Sequence, residues 1–74
     1  MDIFVERLNK LITENGITKY KLAKEIGVSK QAVLWWSDGI NEPKISYLKK
    51  LAVFFDVTAD YLIGLEDEVG TKTR

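Results

Sequence analysis

The sequence predicts an all-α protein, a compact bundle of five short helices. Two observations carry that expectation. Apolar residues recur at helical spacing in short stretches, and most of those stretches end on a glycine. No stretch sustains the two-residue alternation of a half-buried strand.

Each element has its own signals. In "DIFVERLNKLITENG", Ile3, Phe4, Leu8, Leu11 and Ile12 mark one side of a helix, Asp2 suits its start and Gly16 its end. "TKYKLAKEIG" runs from a capping Thr18 through Leu22, Ala23 and Ile26 to Gly27. "SKQAVLWWSDG" starts on Ser29, places Val33 and Trp36 on one face, and stops at Gly39. "INEPK" reads as a turn, because Pro43 restricts the residue before it and breaks helix. A fourth helix is expected from about Ile45 to Phe55, with Leu48, Leu51, Ala52 and Phe55 facing inward. Thr58 then caps the short "TADYLIG", closed by Gly64. This places one domain over residues 1–65 and a flexible tail over 66–74.

Composition narrows the function classes. The chain has no cysteine and no histidine, so neither a disulfide framework nor a Cys/His metal site is expected. No glycine-rich phosphate loop and no carboxylate pair in an evident cleft stand out, so no catalytic residue, cofactor or small-molecule ligand is expected. No apolar run approaches the roughly 18 to 20 residues that span a bilayer, and "MDIFVERLNK" lacks the layout of a secretory leader. The expectation is a soluble cytoplasmic protein. The formal net charge is zero, but its distribution is uneven. Residues 17–50 hold seven lysines against Glu25, Asp38 and Glu42, a local balance of +4, whereas residues 51–74 balance at −3. A neutral chain can thereby present one positive face to a polyanion.

The link between the second and third helices is the most informative stretch. Only residues 27–29, "GVS", join them, and so short a connection containing Gly27 forces a steep crossing. A small Ala23 suits the close approach, while Ile26 and Val28 flank the angle. This is the layout of a helix-turn-helix.

"GITKYKLAKEIGVSKQAVLWWSDG" followed by "NEPKISYLKKLAVFFDVTADYLIG" resembles the Cro/repressor-type (XRE-like) helix-turn-helix domains of phage and bacterial transcription regulators. The resemblance covers about Phe4 to Gly64 and rests on an ordered set of positions rather than on one motif. Leu22-Ala23, Gly27-Val28-Ser29, Val33, Trp36, Gly39, Pro43, Leu48, Leu51-Ala52, Val57 and the closing "ADYLIG" carry it. It implies a lambda-repressor-like fold whose third helix enters the major groove of DNA. Three departures stand out. Lys19 replaces a usual glutamine, Ile12 and Ser37 replace a frequent Arg–Glu pair, and Ile40 occupies a loop position that is often basic.

Under that resemblance, Lys30, Gln31, Ala32, Leu34 and Trp35 are the expected base-reading residues. Gln31 suits bidentate pairing with adenine and Lys30 suits guanine or a phosphate. Lys19, Tyr20, Asn41 and Lys44 are expected at the phosphate backbone. Leu34 and Trp35 have two readings, apolar contact with thymine methyls and sugars or a protein-binding surface. Val53, Phe54, Ile63 and Leu65 exceed the needs of a core stripe and are the expected dimer interface. The expected function is sequence-specific DNA binding by a transcriptional repressor, dimeric at least on a palindromic operator, with helix 29–37 in the major groove. The alternative is a protein-interaction module, antirepressor- or antitoxin-like, on the same fold. The chain reads either as a whole small regulator or as the DNA-binding part of a longer one.

Overall fold

The computed structural model describes residues 2–68. Five helices follow one another in it: α1 (Ile3–Glu14), α2 (Lys19–Ile26), α3 (Lys30–Ser37), α4 (Ile45–Phe55) and α5 (Ala59–Ile63). Four start where their caps predict. The side chains of Asp2, Thr18, Ser29 and Thr58 accept hydrogen bonds from the backbone N–H groups of Phe4, Lys21, Ala32 and Tyr61, satisfying donors that the helix itself leaves unpaired. Helix α4 starts after Lys44 without such a bond. It ends on Asp56, which adopts the left-handed conformation (φ 56°) that glycine takes at the ends of α2 and α5.

Each helix contributes one fully buried aliphatic side chain to the centre: Leu8, Leu22, Val33, Leu51 and Leu62. Phe4, Leu11, Ile12, Ala23, Ile26, Trp36, Ala52 and Phe55 complete a single core around them. Two members of the expected stripes behave differently. Ile3 is exposed, lying against the end of α5 where a Cβ on Gly64 would come within 3.1 Å of its Cγ2. Leu48 is only partly buried, and its neighbour Tyr47 packs on Trp36 with ring centroids 6.0 Å apart.

The end of the chain is tied to its beginning. The Arg7 guanidinium donates from α1 to the carbonyls of Tyr61 and Glu66, the latter at 2.6 Å, and lies 4.3 Å from the centre of the Tyr61 ring. Thr58 donates to the Glu66 carboxylate at 2.7 Å, and Glu66 is buried. Glu68 accepts from the Tyr61 hydroxyl at 3.0 Å and from Lys10 at 2.9 Å. Residues 66–68, which the sequence assigns to a tail, thus make defined contacts with α1 and α5. The rest of that expected tail, residues 69–74, lies outside the described residues.

Two outcomes follow from this clasp. Replacing Arg7 by Ala removes two charge-assisted hydrogen bonds and is expected to lower stability by about 1.5–3 kcal/mol, measured by urea unfolding. The hydrogen bonds from Lys10 and then Tyr61 hold the Glu68 carboxyl below its ordinary value of 4.5. A lowered carboxyl adds stability above its unfolded value, and that increment is lost as the pH falls through the lower folded value. Wild type and Glu68→Gln are therefore expected to differ in unfolding midpoint near pH 6 and to converge as the pH falls below the lowered folded value.

Candidate nucleic-acid interface

The candidate interface is built around α3, which its neighbours hold by one side only. Val33 and Trp36 are buried in the core, and the Ser37 hydroxyl, also buried, donates to the Leu34 carbonyl. Asn9 of α1 donates from its amide to the Ser37 carbonyl at 2.9 Å, fastening the C-terminal end of the helix. The start is set by the turn from α2. Gly27 is left-handed (φ 86°), a conformation that a Cβ makes costly, and the N–H of Val28 folds back onto the Ala23 carbonyl at 3.0 Å. The Ser29 hydroxyl then accepts from the Ala32 N–H and begins the next helix.

With successive side chains about 100° apart, the buried positions leave Gln31 and Trp35 at the centre of the outward face, one turn from each other. Lys30, Gln31 and Trp35 are exposed, Trp35 by 41%. Leu34 is half-buried beside them, and Ala32 leans partly into the core. The five expected readers therefore divide: three project fully from the helix, and two form its flanks.

The expected phosphate-binding residues sit at helix starts and in one loop. Lys19 and Tyr20 open α2, Tyr20 is exposed, and the Lys24 ammonium lies 5.7 Å from its ring. Lys44 is exposed at the start of α4, where unpaired N–H groups and the helix dipole already favour an anion. Asn41 is exposed in the loop after α3, between the exposed Ile40 and Glu42. That loop is apolar and acidic where a phosphate contact would call for cations.

The four residues expected at a dimer interface are all exposed, but they occupy two places. Val53 and Phe54 line an open groove between α2 and α4 together with Ile26 and Lys49. Ile63 and Leu65 flank Gly64 at the end of α5, against which Ile3 lies. Three features escaped the sequence reading. Asn9 steadies α3 and Tyr47 backs Trp36, but both lie outside the apolar stripes. Ile45 is the most exposed large apolar residue described, although it stands three residues before Leu48 on the expected inward stripe. It occupies the first position of α4, where no neighbouring helix covers it.

A helix-turn-helix model, HTH_3, matches residues 8–62, from the centre of α1 to the penultimate residue of α5. The chain belongs to this helix-turn-helix family. Its relatives are transcription regulators. The HTH-type transcriptional activator BcrR of Enterococcus faecalis is 36% identical over 64 residues, which is 86% of this chain and 31% of BcrR. The chain thus spans under a third of that relative. The solution structure of the SOS-response transcriptional repressor LexA from Eubacterium rectale is 36% identical and superposes with a TM-score of 0.82, covering 97% of this chain and 76% of that one. The P22 c2 repressor, crystallised in complex with a synthetic operator, is 27% identical with a TM-score of 0.80, covering 85% of this chain and 96% of that one.

The adjacent tryptophans of α3 separate the two faces experimentally. Trp36→Ala is expected to cost about 3–5 kcal/mol through the cavity it leaves. Trp35→Ala is expected to stay within about 0.5 kcal/mol of wild type, as surface changes do. Thermal unfolding followed by circular dichroism measures both.

Proposed function

We propose that this chain is a sequence-specific DNA-binding domain that inserts α3 into the major groove and represses transcription by occupying an operator. The observation that carries the reading is the outward face of α3, where Lys30, Gln31 and Trp35 project from a helix that is capped at both ends and fixed from behind. Gln31 has the donor–acceptor pair for adenine, and Lys30 donates to guanine or to a phosphate. Leu34 and Ala32 form the flanks of the inserted helix. Lys19, Tyr20, Asn41 and Lys44 hold the sugar-phosphate backbone, three of them at the starts of α2 and α4. The complex of the P22 c2 repressor with its operator supports the same use of a similar fold.

The proposal includes a dimer on DNA. Two subunits related by a two-fold axis place their α3 helices in successive major grooves about 34 Å apart and read a palindromic site. Val53, Phe54, Ile63 and Leu65 are the surfaces available to join them. The site of action is the cytoplasm, where operators are accessible.

A second reading draws support from the zero net charge and from the Ile40–Asn41–Glu42 loop, which thins the basic footprint. In it, the same α3 face binds a protein partner. Titration with duplex DNA at two salt concentrations separates the two. Binding is expected to weaken steeply as salt rises, because neutralised phosphates release counterions. Gln31→Ala is expected to relax preference at one base position by about 1–3 kcal/mol, whereas Lys44→Ala weakens all sequences alike. No binding at low salt would overturn the DNA reading.

A further inference from the structure

Trp35 differs in chemistry from the other projecting residues of α3. The buried side of the helix aims it outward. Trp36 is held in the core against Tyr47, and the two indoles leave the helix about 100° apart. The helix stops just beyond it, because the N–H of Ile40 closes onto the Trp35 carbonyl at 2.9 Å after the left-handed Gly39. Gln31 lies one turn earlier on the same face, and Lys30 flanks it. Helix α3 carries no acidic residue. Lys30 is the one charged side chain of α3, and it favours a polyanion as the occupant of the face.

The edges of base pairs in the major groove are polar with one exception, the C5-methyl group of thymine. An indole carries a single N–H donor and no acceptor. Pressed against a G·C edge, it could pair one guanine acceptor at most through that N–H, and would leave the cytosine amino group covered without an acceptor, which is costly. Against thymine, the ring face gains an apolar partner.

We propose that Trp35 makes the operator half-site select an A·T pair by covering a thymine methyl, next to the base pair engaged by Gln31. This rests on the DNA-binding reading above and assigns the base class that the reading leaves open. Trp35 is then a specificity residue that rejects G·C as much as it accepts A·T.

The test replaces single methyl groups. Duplexes selected from a random library are resynthesised with deoxyuridine at one thymine at a time, leaving every hydrogen-bonding edge unchanged. Wild type is expected to lose about fourfold in affinity at one half-site thymine, the worth of one buried methyl. Trp35→Ala is expected to bind both forms of that duplex equally. The wild-type arm needs no variant to fold, and circular dichroism checks the variant. If every uracil substitution is neutral for wild type, or if Trp35→Ala keeps the same loss, the assignment is overturned while DNA binding stands. If wild type binds no duplex at low salt, both fall together.

Discussion

Five aliphatic side chains, one from each helix, meet in a core that water does not reach: Leu8, Leu22, Val33, Leu51 and Leu62. Every other feature depends on that meeting. The helices run from five to twelve residues, lengths at which an isolated helix is marginal in water. None persists by propensity alone; each exists because the helices packed against it bury its apolar side. With no cysteine and no metal-binding histidine to staple it, the chain has packing as its main source of stability. A change at Val33 would therefore be felt at Leu62, because both sit in one contiguous cluster.

The same constraint produces the functional surface. Helix α3 is short enough to be fastened by two core residues, two caps and the amide of Asn9. Lys30, Gln31 and Trp35 are left exposed on its other side. A rigid inner side and an unencumbered outer side suit recognition, since side chains on a fixed helix lose less freedom on binding than those on a mobile loop. The apolar half of the outer face does not conflict with a charged ligand, because lysines supply attraction to phosphate while uncharged groups discriminate among bases. Where the proposed phosphate-binding pattern weakens, at Ile40 and Glu42, Lys19 still stands at the start of α2 and Lys44 at the start of α4, which no side chain caps.

Much of the fold was legible in the sequence, and the reason is physical. Caps and apolar spacing act over three or four residues, and so do left-handed glycines, so Asp2, Thr18, Ser29, Thr58 and Gly27 announce their roles in their own neighbourhoods. The division of the two tryptophans was equally local, because Val33 fixes which side of α3 faces inward. The expected readers Lys30, Gln31 and Trp35 could be named for the same reason. The exposure of Ile45 could not, since its spacing to Leu48 is that of an inward residue and only the lack of a neighbour leaves it bare.

The sequence alone determined the number, order and capping of the helices, the inner face of α3 and the steep turn before it. The tertiary structure decided how the chain closes on itself. Arg7 reaches carbonyls 54 and 59 residues away, and Lys10 meets Glu68, which brings residues 66–68 into the fold. It also decided that Val53 and Phe54 border a groove with α2, while Ile63 and Leu65 flank Gly64 at the end of α5, beside Ile3 of α1. Contacts of that kind leave no periodic trace, because they join residues that become neighbours only after the five helices have packed.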